Sequence, residues 1–217
     1  MKVLLCTFLF ISFVCLTGCG ITQPVRPLEQ GTTEVIASLG GPVIPVGDIA
    51  FPVPYLNVGM MHGYNSDLTL YGNAHITALL FKDVGLDGGI ATRIIGERKF
   101  RPELTFNGRI YFLWDAFRGN TARLYPAGTL TASYSVGERS LFYFGVDNLY
   151  QFQQPLLFVT PFIGHQFPVS NEIVMQVESK WMAMNHDTRH GVFEGVGSVG
   201  GKGNVGLFIG LQYKIPK

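Results

Sequence analysis

Apolar and polar residues alternate with a period of two through most of the chain after residue 31. Such alternation marks strands whose two faces meet different surroundings, and no stretch shows the 3.6-residue recurrence of an amphipathic helix. Leu68, Leu70, Ala74, Ile76, Ala78 and Leu80 oppose Thr69, Tyr71, Asn73, His75 and Thr77. Leu104, Phe106, Ile110, Phe112 and Trp114 oppose Glu103, Thr105, Asn107, Arg109 and Tyr111. The same holds for Ile173, Met175, Val177 and Trp181, and for Val205, Leu207, Ile209, Leu211 and Tyr213. Ten strands are predicted, at 32–40, 53–63, 67–81, 84–95, 101–114, 122–137, 140–152, 156–167, 172–184 and 204–215. Most exceed the usual globular strand of about 5–6 residues and reach the about 9–11 that cross a bilayer. Pro161 falls inside the eighth, where a bulge or kink is expected because proline offers no N–H to the ladder. Asn148 lands on the apolar face of the seventh.

The predicted fold class is all-β: an antiparallel up-and-down transmembrane β-barrel of about ten strands. If 32–40 lies outside the wall, eight strands with an N-terminal segment are the alternative. The linkers Tyr64–Ser66, Gly96–Phe100, Gly137–Arg139 and Pro168–Asn171 are short, whereas 41–52 and 185–203 are long. Short turns at one end and long loops at the other are the barrel pattern.

Composition decides what the alternation means. The 217 residues are 47% hydrophobic and only 14% charged, with a net charge of +1. Disorder needs low hydrophobicity and high charge, and nucleic-acid binding needs a basic surplus; neither is present. No apolar run in the body of the chain reaches the about 20 residues of a spanning helix. A soluble barrel alternates too, with its apolar face inward. Here the polar faces are mostly Gly, Ser, Thr, Asn and Tyr, whereas a solvated surface is about 25–35% charged. Bulky aromatics also gather near strand ends: Trp114, Tyr150, Phe152 and Trp181 towards one rim, Tyr134, Phe142 and Tyr213 towards the other. Paired aromatic girdles mark the two headgroup layers, so outer-membrane lipids are the expected surroundings.

The N-terminus reads as processing. Lys2 precedes the apolar run Val3–Val14, a secretory signal in form. Its ending, Leu16-Thr17-Gly18-Cys19, resembles the lipobox of bacterial lipoproteins. That resemblance implies a signal at 1–18, covalent acyl chains on Cys19 and, with Gly20 next, outer-membrane sorting. It also implies that Cys6 and Cys15 leave with the signal, so no thiol stays free for disulfides, catalysis or zinc. Removing Lys2 leaves 15 basic against 15 acidic residues. Residues 19–31, with Pro24, Pro27 and Gln30, suit a lipidated tether, and 32–217 form the barrel. The barrel portion is similar in architecture to small bacterial outer-membrane β-barrel proteins. Asn204, Gly206, Ile209 and Leu211 match their C-terminal assembly signal loosely; Ile215-Pro216-Lys217 stands where a terminal aromatic is usual. A lipid-anchored start on the periplasmic side would place 41–52 and 185–203 outside, where an extracellular partner would meet them.

The lumen-facing parity collects Asp87, Arg93, Glu103, Arg109, Arg123, Asp147, Glu178 and Lys180. Charges of both signs inside a narrow barrel are expected to pair and plug it; a polar pore lined by the same groups is the alternative. His186 and His190 are four apart, a metal-binding spacing only on a helix, and they lie in a Gly-rich loop, so no metal is expected. His75 and Thr77 share a lumen face, but no hydrolase pattern accompanies them; no enzyme and no cofactor are expected. The functional expectation is a structural or surface-interaction role in the outer membrane. The alternatives are a narrow channel for small polar solutes and a lipid-anchored periplasmic barrel binding an apolar ligand.

Overall fold

A computed structural model describes residues 21–46, 49–115, 119, 121–137, 139–152, 156–187 and 198–216. Cys19, loop positions 47–48 and 188–197, and His190 therefore lie outside the described residues. Eleven strands form: β1 (Thr33–Val46), β2 (Ile49–Pro52), β3 (Tyr55–Asn65), β4 (Leu68–His75), β5 (Val84–Ile95), β6 (Glu103–Asp115), β7 (Thr121–Val136), β8 (Ser140–Tyr150), β9 (Leu157–Pro168), β10 (Ile173–Asp187) and β11 (Lys202–Lys214). Each wall strand pairs antiparallel with its neighbour, in the order β11-β10-β9-β8-β7-β6-β5-β4-β3-β1. The sheet closes on itself through β1 and β11, from Glu34 opposite Lys214 to Pro42 opposite Gly206. The wall is a ten-stranded up-and-down β-barrel, and closure leaves it no open edge.

Three expectations about the ends of strands are corrected. The loop expected at 41–52 is structured: β1 runs past the wall and pairs with β2, Val43 opposite Pro52 and Ile44 opposite Phe51. The apolar run there continued the strand alternation, which the two prolines at 42 and 45 obscured. Loop 185–203 is shorter than expected, since Asn185–Asp187 extend β10 and Lys202–Gly203 begin β11. The strand expected over 67–81 stops at His75, and Ile76–Leu80 form a single helical turn, α1. Ala and Leu favour a helix, and the Lys82 backbone lies in the left-handed region (φ 65°) just after it.

The bulge expected at Pro161 does not occur. The β8–β9 ladder runs unbroken through Val146 opposite Pro161, while the β9–β10 ladder ends one residue earlier, at Phe162 opposite Lys180. Pro126 repeats the arrangement, because the β7–β8 ladder begins at Ala127. Each proline thus sits one step beyond a ladder's end, where no N–H is required. Between β9 and β10 side chains take over beyond that point. Asn185 accepts from the Val159 N–H and donates to the Leu157 carbonyl, and Thr160 accepts from the Ala183 N–H.

The largest departure lies inside. Residues 21–31, expected as a tether, turn back into the lumen, and Ile21, Thr22, Gln23, Pro24, Val25 and Pro27 are buried there. Among the described residues three small apolar clusters lie inside; two include a residue of this segment, and the third is of wall residues with Leu28 packed against it. Ile21 meets Tyr55 and Phe208; Val25 meets Tyr143 and Phe162; Leu28 packs against Ile36, Met61, Tyr71 and Ala91. The wall makes room with glycines, as where the Tyr143 ring lies flat over Gly164, its cross-strand partner. A Gly164→Val side chain would enter that ring. It is expected to destabilise the barrel by about 1–3 kcal/mol through overpacking, read as a lower urea midpoint with the barrel's gel mobility as the signal.

Candidate functional site

The lumen is the site, and the period-two pleat builds it by turning alternate residues inward. β6 contributes Glu103, Thr105, Asn107, Arg109 and Tyr111, all buried, while Phe106 and Ile110 on the same strand are exposed outward. Of the eight charged lumen candidates, six are buried: Asp87, Glu103, Arg109, Asp147, Glu178 and Lys180. Arg93 sits at the mouth nearest the chain's C-terminus, its side chain 29% exposed. Arg123 does not join them. It is exposed at the start of β7, beside a hollow of about 280 Å³ lined by Tyr125, Gln151 and Phe152; parity was right, but its level in the barrel lies above the enclosed part.

The buried charges form separate groups rather than one. The Arg109 guanidinium donates to the Gln23 carboxamide oxygen and to Thr22 Oγ1 (3.4 Å), and its Nη2 lies 3.8 Å from Asp147 Oδ2. The Thr129 hydroxyl lies between Asp147 Oδ1 (2.9 Å) and Gln23 Oε1 (3.1 Å), sharing its one proton with these two acceptors. Lys180 Nζ lies 3.2 Å from Glu178 and over the rings of Phe162 and Phe208. His75 bridges Tyr55 Oη (3.0 Å) and Asp87 (2.9 Å), and Asn73 donates to the other Asp87 oxygen at 2.7 Å. A row of amides, Gln166 to Gln212 to Gln176, ends on the Tyr143 hydroxyl. Thr77, which shared a face with His75 on paper, is instead in α1, accepting from the Leu56 N–H. The hydroxyl that His75 meets is that of Tyr55, so Tyr55, His75 and Asp87 form one buried row across the wall.

Arg26 fastens the inner segment at the mouth nearest the C-terminal end of β11. Its Nε donates to Ser133 Oγ (2.7 Å), and its Nη atoms reach Ser135 Oγ (3.1 Å), the Ser133 carbonyl (3.1 Å) and Glu97 Oε2 (2.9 Å). Arg93 joins Glu103 (3.1 Å) to Asp67 (2.6 Å) alongside. Burial works against the charged Glu97 carboxylate, but hydrogen bonds from the Ser135 hydroxyl and N–H, with Arg26, outweigh it and hold its pKa below the ordinary range. Beside the segment, a cavity of about 250 Å³ opens between Pro24–Glu29 and β8–β11, with Arg139, Glu172 and Lys214 at its edge. Gln23 and Arg26 were not among the sequence candidates. Ile21, Val25 and Leu28 are apolar in a stretch otherwise suited to solvent, but they do not single out Gln23 or Arg26.

The aromatic positions fall at two levels of the wall. Tyr134 pairs with Phe142, and Tyr213 with Ile173, towards the mouth at the C-terminal end of β11. Trp114, Tyr150 and Trp181 lie near the opposite strand ends, opposite Val84, Leu157 and Val205. Phe152 follows β8, edge-on to Tyr150 at 5.4 Å between ring centres.

The fold and site together define a closed up-and-down β-barrel with a polar lumen filled by its own N-terminal segment. No protein-family model and no curated protein sequence matches the chain. Among solved structures it is similar to the outer membrane protein OprG from Pseudomonas aeruginosa, at 10% identity and a TM-score of 0.34, over 87% of this chain and 98% of that one.

Arg109→Leu leaves Asp147 buried beside an apolar side chain, and is expected to cost about 3–5 kcal/mol in urea unfolding. Glu97 supplies a pH signature. Its folded pKa is depressed, so its contribution is full above the ordinary Glu value of about 4.3 and is lost as pH falls through the folded value. Glu97→Gln is therefore expected to flatten the acid limb of the stability profile below about pH 4 and to leave the alkaline limb unchanged.

Proposed function

We propose that the protein is an outer-membrane β-barrel with a structural or surface-interaction role. The observation that carries this reading is the inversion of its two faces. Outward positions hold Leu70, Leu86, Ile90, Phe106, Ile110, Phe144, Ile163, Leu207 and Ile209, all exposed; Ile110 is 53% accessible and Ile209 52%. No Asp, Glu, Lys or Arg occupies an outward position from Leu104 to Trp114, from Ile173 to Trp181 or from Val205 to Tyr213. The charges lie inside instead, with Lys180 2% and Glu178 4% accessible. Exposed apolar area on this scale is unstable in water and ordinary in hydrocarbon. A soluble barrel holding an apolar ligand would need the opposite arrangement, so that alternative is disfavoured. The aromatics at the two levels fit headgroup contacts.

Acylation of Cys19 belongs to the same proposal and rests on the Leu16–Cys19 pattern. The surface role falls to the segments beyond the wall, the β1–β2 hairpin with Ile49 and Phe51 exposed and the loop between β10 and β11.

In detergent gels the folded protein should migrate differently before and after heating, and in cells it should fractionate with the outer membrane even as Cys19→Ala. A Cys19→Ala chain that becomes soluble overturns the reading. Ile110→Arg, on the outward belt, should cost about 2–4 kcal/mol in lipid, whereas Asn107→Arg, one row away on the lumen face, should not show that dependence on lipid. Labelled palmitate should be incorporated by the native chain and not by Cys19→Ala.

A further inference from the structure

We infer that residues 21–28 are a displaceable plug, and that the barrel conducts small hydrated cations when the plug is withdrawn. The inference rests on the membrane reading above and goes beyond it, because it gives the lumen two states.

The segment is held differently from the wall. Pro24 and Pro27 remove two of its N–H groups, and it joins no ladder between Ile21 and Leu28. Its fastenings are side-chain contacts at three points: Gln23 on Arg109 and Thr129, Arg26 on Ser133, Ser135 and Glu97, and the Leu28 N–H on Thr69 Oγ1. The wall, by contrast, keeps much of its polar pairing to itself. His75 with Asp87, Arg93 with Glu103, Lys180 with Glu178, and Thr129 with Asp147 all link wall residues and survive the segment's departure.

The fit is also incomplete in a telling way. Tyr71 Oη, Thr105 Oγ1, both amide atoms of Asn107 and Tyr111 Oη are buried on β4 and β6 without a hydrogen bond to another protein group. Such groups suit a lumen that water enters, because water satisfies them when the segment leaves. The cavity of about 250 Å³ already flanks the segment on the β8–β11 side.

Charge sets the permeant species. Asp87, Glu103, Asp147 and Glu178 face the lumen against Arg93, Arg109 and Lys180. Withdrawal also takes Arg26 away from Glu97 and Glu103 at the mouth. The opened lumen therefore carries a negative excess, which favours cations.

The test is conductance of the full chain in planar bilayers under a potassium chloride gradient. The native protein is expected to be silent. A chain with residues 21–30 replaced by a Gly/Ser segment of equal length should show discrete conductance steps and a cation-side reversal potential. A synthetic peptide of residues 21–30 added to that variant should abolish the steps. The double substitution Gln23→Ala with Arg26→Ala should open intermittently, and it carries the test if the replacement chain does not fold. Two outcomes overturn the plug: a variant that inserts, keeps its heat-dependent mobility and stays silent, or a native protein that conducts as well as the variant. A native chain that fails to float with lipid vesicles overturns the membrane reading instead.

Discussion

Everything in this molecule depends on the ladder between β1 and β11. On the membrane reading proposed above, backbone N–H and C=O groups in hydrocarbon would have no solvent partner, so a sheet would survive there only without an edge. The nine registered pairs from Glu34–Lys214 to Pro42–Gly206 remove that edge. They also fix which residues turn inward along the ladders, whose register shifts lie near strand ends, between Gly63 and Asn65, Arg93 and Ile95, and Met182 and Asp187. The tolerance for proline follows from the same rule. Pro126 and Pro161 are placed where a ladder has already ended, and side chains of Asn185 and Thr160 satisfy backbone groups beyond it.

Closure creates an interior that is narrow and polar. The wall answers with local pairing: Asp87, Glu103 and Asp147 find partners one strand away, Glu178 finds Lys180 on its own strand, and amides form a row that ends on Tyr143. Much of the rest is filled by the segment from residue 21, whose Ile21, Val25 and Leu28 join or pack against the three interior clusters. The segment is thus both the apolar core of the lumen and its polar partner at Arg109.

Much of this was legible before any coordinates. The period-two alternation over 101–114 and 204–215 states both strand and face, and Ile110 and Ile209 lie outward as that pattern requires. Strand count and closure followed from segment length and linker parity. Three features were not legible, each for a physical reason. Ile76, Ala78 and Leu80 satisfy a strand's alternation and a helical turn equally, and only tertiary context chooses. Pro42 and Pro45 look like loop residues, yet Pro42 takes the last place in the β1–β11 ladder and Pro45 lies in the two-stranded extension beyond it. The segment 21–31 has the composition of a tether, since Pro and polar residues suit solvent. Nothing local says that Gln23 and Arg26 find partners some 70 to 110 positions away.

The depth reached by that segment has a consequence for anchoring. Ile21 lies against Gly210 and Phe208, level with the middle of β11. Two peptide steps lead from it to Cys19, and an extended chain covers about 7 Å over that interval. A lipid on Cys19 would therefore start close to the depth at which Ile21 sits, and its own linkage and acyl chains would have to span the rest of the way to a leaflet. For such a chain, the mooring line and the seat of Ile21 draw on the same short length of slack.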